Sequence, residues 1–246
     1  MNVYAWLIGA GASLGLYALA RQVSEKESQQ WLLSGLWTLV CTLVGARLAF
    51  VILHQTYFSS HGSEIFRMID GGLWWAGAVA GWWVGIFTTT LIWQGKFTRV
   101  LGALYPIIPP LSVMTWLACG VSGCAYGGEM PVSCALGVWV QIQADLSYRF
   151  PLFFLAALSL LILFLLFDRR MPAGLPKELT AAGGYLLFGL HLCLFTALRQ
   201  DQNLLPNGQS LDLLIAFIFA GLMLLLNAIL WLIYRLKSKI NHSDFV

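Results

Sequence analysis

Apolar residues run almost unbroken through seven stretches of this chain, and the polar residues collect between them. The stretches are Val3–Ala20, Trp31–Leu53, Gly71–Trp93, Val100–Ala118, Phe150–Phe167, Ala181–Leu198 and Leu211–Tyr234. Each approaches the roughly 20 residues that a helix needs to cross a hydrocarbon core of about 30 Å. Helices are expected because lipid offers no partner to backbone N–H and C=O groups. A membrane barrel would alternate apolar and polar positions over segments of about ten residues, whereas these runs are continuous. The pattern predicts an all-α membrane protein, a seven-transmembrane helical bundle forming one polytopic domain over residues 1–246, with an extracytoplasmic loop region. The first stretch follows Met1-Asn2 without a basic n-region and without a clean cleavage site after it, so it is expected to be a retained helix.

The few charges set an orientation. With the N-terminus outside, the inside segments hold Arg21, Lys26, Lys96, Arg99, Arg169, Arg170, Lys177, Arg235, Lys237 and Lys239. The outside loops hold Arg67, Arg149 and Arg199, and Arg47 lies within a span. The cytoplasmic bias of Lys and Arg favours this N-out, C-in arrangement. It also leaves four arginines that topology does not require. Composition supports the same class. Apolar residues make up 59% of the chain and charged residues 10%, with a mean hydropathy of +0.77. Soluble domains lie near about 45–50% and 25%, so a soluble enzyme and a disordered chain are excluded. The net charge is +3, from 14 basic and 11 acidic residues, which leaves no footprint for nucleic acid.

Two polar segments interrupt the spans on the outside, Gln55–Asp70 and Cys119–Arg149. A loop as long as the second is expected to be functional or to carry a short helix of its own. Pro106, Pro109 and Pro110 predict a kink or break in the fourth span.

Arg47 is the sharpest anomaly. An intramembrane arginine costs at least about 2.5–3.5 kcal/mol unless it is paired or hydrated. It therefore needs an ion-pair partner in the bundle or an anion, and a planar guanidinium suits a phosphate. His61, Glu64, Arg67 and Asp70 recur every three residues. On a short helix they share a face, which would bind a headgroup and supply acid–base groups or stay solvated as self-paired charges. Asp70 leads into Gly71-Gly72, a turn or a close approach of backbone to ligand. Cys119, Cys124 and Cys134 lack the paired spacing of a zinc site and have no histidine nearby in sequence, so no metal is expected. A disulfide and packed free thiols both remain open for them. Arg199 and Asp201 close the sixth span, Arg199 as an interfacial anchor or as a functional cation. His191, in mid-span, is expected to be a neutral core histidine bonded to a carbonyl.

In order and spacing, these segments resemble the prolipoprotein diacylglyceryl transferase family of bacterial membranes, over most of the chain from Tyr4 to Asp201. Tyr4 matches the tyrosine that opens the family's first helix. Gly45-Ala46-Arg47-Leu48 and the residues after it are similar to its GARLxYVL-type second helix, and His61 through Gly72-Leu73 to the stretch leading into its GGL motif. Pro106 falls at a family proline, Gly123-Cys124-Ala125-Tyr126-Gly127 resembles a GCCYG signature, and Leu198-Arg199-Gln200-Asp201 resembles the closing LRGD.

The resemblance implies transfer of diacylglyceryl from phosphatidylglycerol to the cysteine thiol of a lipoprotein precursor. It implies no cofactor, a multi-pass place in the bacterial inner membrane, and the precursor's signal peptide as partner. It casts Arg199, His61 and Tyr126 as catalytic, and Tyr4, Arg47, Arg67, Gly71, Gly72 and Asp201 as substrate-binding. The chain departs from the family pattern at several positions. Ala76 stands where the family has a histidine, Trp116 where it has an arginine and Ser122 where it has an asparagine; Leu192 and Thr196 replace two polar residues of a late motif. The readings beside transfer are a relative that binds lipid or precursor without transferring, and the same scaffold acting on another acyl or phosphoglyceryl substrate.

Overall fold

The computed structural model describes residues 3–67, 71–93, 95–135, 137–142, 145–172 and 174–243. The first two spans form a helical pair, α1 (Val3–Gln22) and α2 (Glu25–Leu53). A single-turn helix α3 (Gln55–Phe58) and a 3-10 turn (Gly62–Phe66) follow, before α4 (Trp75–Ile92). The fourth span breaks where its prolines predict: α5 (Phe97–Leu104) passes through a buried 3-10 turn at Tyr105–Ile107 into α6 (Ile108–Val121). Pro106 and its neighbours lack the N–H groups that would continue the ladder. Strands β1 (Val138–Ile142) and β2 (Asp145–Arg149) form an antiparallel hairpin with Val138 opposite Arg149 and Trp139 opposite Tyr148. The chain ends with α7 (Leu152–Arg170), α8 (Lys177–Leu198) and α9 (Leu211–Ser243).

Among the described residues, seven helical segments are long and apolar enough to cross a membrane, one in each predicted stretch. The chain is an all-α membrane protein with seven spans. α2 begins earlier than the apolar pattern indicates, at Glu25 rather than Trp31. Its extra turn is polar and anchored: Glu27 accepts from Trp31 Nε1 at 3.3 Å and pairs with Arg99 at 2.9 Å. The long loop carries a hairpin where a short helix was expected, because Val138-Trp139-Val140 is β-branched and aromatic.

α2 packs along α4, α1 along α6, and α8 along α9. The α2–α4 seam is lined by Gly45, Gly77 and Gly81, where any Cβ would run into the facing backbone. Small residues let membrane helices approach closely without a hydrophobic drive between them. The buried core gathers around the helix break, with Leu101, Leu104, Ile107, Leu160 and Tyr185 almost wholly enclosed. Large apolar side chains such as Val84, Phe87, Leu224 and Leu225 stay exposed, as a lipid-facing surface requires.

Candidate active site

Two polar clusters occupy the end of the bundle that the basic bias assigns to the outside. The first is built on Arg47. Its side chain leaves α2 among apolar neighbours and is only 5% exposed. Nε donates to Ile65 O at 2.8 Å, Nη1 to Gly71 O and Gly72 O at 3.0 Å each, and Nη2 to Glu64 O at 2.5 Å. The rings of Phe50 and Phe58 flank the guanidinium at 5.8 and 5.3 Å. Four of the five guanidinium N–H groups thus go to carbonyls of the loop between α2 and α4. The first task of Arg47 is to fasten that loop, using acceptors that carry no side-chain signature. Gly72 makes this possible: its φ is +68°, and a Cβ there would sit 2.5 Å from Arg47 Nη1. The close approach anticipated at Gly71-Gly72 is to Arg47 itself.

The three-residue spacing from His61 does not produce one helical face. His61 and Arg67 flank the 3-10 turn, and only Glu64 lies within it. Asp70 lies outside the described residues. His61 stacks on Tyr57, with ring centroids 4.4 Å apart, and its Nδ1 lies 3.1 Å from Tyr57 O and 2.9 Å from Ser60 Oγ. Tyr57 Oη donates to Glu64 Oε2 at 2.7 Å, which raises the phenol above its ordinary pKa. Arg67 is exposed and has no ion pair among the described residues. Tyr4 is half-buried on α1.

The second cluster is built on the turn after α6. A disulfide joins Cys119 to Cys124 across a Cα–Cα distance of 4.8 Å, while Cys134 is free and half-buried. The chain then passes through Ala125, fully buried at φ +56°. Ala125 N donates to Asp201 Oδ2 at 2.8 Å, and Gln200 N donates to Tyr126 O at 3.1 Å. Arg199 meets Asp201 in a two-pronged pair, Nε to Oδ1 at 2.9 Å and Nη2 to Oδ2 at 3.0 Å. The side chains are 13% and 17% exposed, so this charge-assisted fork is held largely out of water. Arg199, Tyr126 and Asp201, singled out from separate motifs, therefore form one constellation. Arg149 also lies here, its guanidinium 5.3 Å from the Tyr126 ring centroid and paired with Glu129 at 2.8 Å.

A fully buried carboxylate joins the two clusters. Asp212, in the first turn of α9, accepts from Trp74 Nε1 at 2.6 Å and Trp75 Nε1 at 2.9 Å on one oxygen. Its other oxygen accepts from Asn203 N at 2.7 Å and Asn203 Nδ2 at 3.1 Å. Trp74 N in turn donates to Ala46 O beside Arg47 at 3.1 Å. The strap at Gly72–Trp75 and the segment after Arg199 are thereby fixed to one point. Four donors and a helix N-terminus stabilise the buried charge.

The model of the family described as "Prolipoprotein diacylglyceryl transferase" matches residues 1–234. The chain belongs to the prolipoprotein diacylglyceryl transferase family. Members of this family are transferases. Two curated relatives, each named phosphatidylglycerol--prolipoprotein diacylglyceryl transferase, come from Limosilactobacillus reuteri strain DSM 20016 and L. reuteri subsp. reuteri strain JCM 1112. Each is 31% identical over 83 residues, which cover 32% of this chain and 29% of the relative.

The departures from the family pattern are absorbed by packing. Ala76 is buried at the start of α4. Trp116 fills space beside His191 and Phe195, at ring distances of 6.0 and 5.9 Å. His191 is the core histidine expected, with Nε2 3.1 Å from Ala156 O and 3.0 Å from Ser159 Oγ. Asp212 escaped the sequence reading because an acidic residue in a helix's first turn looks like an ordinary dipole contact. Arg149 was assigned only to a side of the membrane.

Proposed function

We propose that this protein transfers a diacylglyceryl group from phosphatidylglycerol to the cysteine thiol of a lipoprotein precursor, within the bacterial inner membrane. The observation that carries the reading is the Arg199–Asp201–Ala125 constellation beside Tyr126, in a chain that belongs to a transferase family. In the reaction, the acceptor sulfur attacks the glyceryl carbon bonded to the phosphate oxygen. That C–O bond breaks as the C–S bond forms, glycerol phosphate leaves, and the thiol proton passes to a base. Negative charge gathers on the leaving phosphate, where a pre-positioned guanidinium lowers the barrier most. Arg199 has such a position: Asp201 fixes its plane from one edge, and Nη1 is left available. Tyr126 and His61 are the groups suited to handling the proton. Tyr4, Arg67 and the Arg47–Gly71–Gly72 loop would shape the lipid entrance.

A second reading has support in the rings around Trp116. They fill the position of a family arginine, which suits a relative that binds lipid or precursor without transferring. Complementation of a strain depleted of its own transferase separates the two. Growth restored by the wild type and lost with Arg199→Ala supports transfer. No growth, with the protein correctly inserted and labelled phosphatidylglycerol still bound, overturns transfer in favour of binding.

A further inference from the structure

The cations at the outer end differ in how many donors they keep. Arg47 gives four N–H groups to carbonyls, and Arg199 gives Nε and Nη2 to Asp201. Arg149 gives only Nη2, to the Glu129 carboxylate, which is itself 75% exposed. The Arg149 side chain is 16% exposed, and its Nε is buried with no hydrogen-bond partner. Buried N–H groups left alone are rare, and each calls for a ligand, a water or an ion. The surroundings narrow the choice. Tyr126 lies against the guanidinium and helps to fix its plane. The hydrogen bonds Gly127 N to Phe150 O and Phe150 N to Gly128 O, both 3.0 Å, tie the backbone next to Arg149 to the turn carrying Tyr126. That same turn holds Asp201 through Ala125 N, and so holds Arg199. Two guanidinium groups are thus positioned by residues 125–128, one neutralised along an edge and one largely open.

We propose that Arg149, braced by Tyr126, forms a phosphate-ester subsite. It holds the phosphoryl oxygens of an anionic phospholipid headgroup, or of the glycerol phosphate released from one. A forked guanidinium with a free Nε matches two phosphoryl oxygens, and an exposed carboxylate is a weak competitor for it. The identity of the ester rests on the proposed transfer reaction, whereas anion binding does not.

The test uses the full chain in an uncharged detergent, with calorimetric titration of glycerol phosphate, inorganic phosphate, dihexanoyl-phosphatidylglycerol and, as a control, glycerol. The wild type binds at least one phosphate ester and ignores glycerol. Arg149→Gln weakens that binding by at least about tenfold, as expected for a lost hydrogen bond to a charged group. Arg149→Lys falls between, since it keeps the charge and loses the fork. Glu129→Gln removes the competitor and tightens binding by about twofold to fivefold. Binding of the lipid without the free esters names the headgroup as the source; binding of glycerol phosphate as tightly as the lipid names the released ester. Unchanged affinity in an Arg149→Gln protein that melts like the wild type overturns the subsite. If that variant does not fold, Glu129→Gln decides, and unchanged or weaker binding there overturns it. The two proposals fail separately. Arg149-dependent binding without any transfer removes the transferase reading alone, and full transfer by Arg149→Gln with an unaltered lipid KM removes the subsite alone.

Discussion

Arg47 and Arg199 come from similar sequence evidence, a basic residue within or at the end of an apolar run, yet the fold treats them differently. Arg47 is answered by backbone carbonyls of a single loop. Arg199 is answered by one carboxylate, which a second loop holds from behind. A guanidinium bonded to carbonyls keeps its positive charge uncancelled while its donors are saturated, so it serves cohesion. A guanidinium paired along one edge keeps directed donors on the other, so it can meet a ligand. The number and chemistry of its partners, more than its depth in the membrane, separate a fastening arginine from a reacting one.

The comparison breaks first at Arg47. Arg47→Ala leaves four carbonyls without their donor and is expected to destabilise the protein by about 3–5 kcal/mol, the range for disrupting a buried charged network. Thermal unfolding in detergent measures it. A variant that melts normally and loses only activity would make Arg47 a substrate residue instead. Asp212→Ala comes next, at about 2–4 kcal/mol, because four donors lose one acceptor group. Asp212→Asn is expected to cost less, since the amide oxygen can still serve Trp74 and Trp75.

Replacing Cys119 and Cys124 by serine opens a short loop and is expected to cost about 2 kcal/mol on the chain-entropy account. The same change should loosen Ala125 and hence Asp201, so transfer should fall more than stability suggests. Arg199→Lys is expected to lower transfer by at least about tenfold, the loss of a fork that a point charge does not replace, while the melting temperature stays close to wild type. A large fall in melting temperature would place Arg199 in the same class as Arg47.

The smallest effect is at Tyr57, on the exposed rim of the Arg47 loop. Its hydrogen bond to Glu64 raises the phenol pKa in the folded protein. The stability it contributes is fully present below the unfolded tyrosine value of about 10 and is lost as pH rises through the folded value. Ultraviolet titration should show one late-ionising tyrosine, and Glu64→Gln should bring it back toward the ordinary range.

The seven spans were legible because hydropathy alone decides what lipid accepts, and Pro106 marked the break because it lacks an N–H. The start of α2 was hidden, since Glu25 to Gln30 carry no apolar signal and are held by an ion pair to Arg99. Arg199, Asp201 and Tyr126 were legible as two short motifs, though their contact through Ala125 was not. The role of Arg47 could not be read, because its acceptors are carbonyls that any sequence possesses. Asp212 was the deepest omission. Its partners Trp74 and Trp75 lie 138 and 137 positions away, and nothing local to it hints at them.

That separation has a consequence for how the protein is made. Spans enter the membrane in the order of synthesis, and Asp212 arrives with the seventh. Until then the indoles of Trp74 and Trp75, made with the third span, have no carboxylate to meet, and the strap between Gly72 and Trp75 lacks its outer anchor. The last helix to be inserted therefore acts as the closing pin of the assembly, and a chain stopped after the sixth span would carry both arginine clusters without the tie between them.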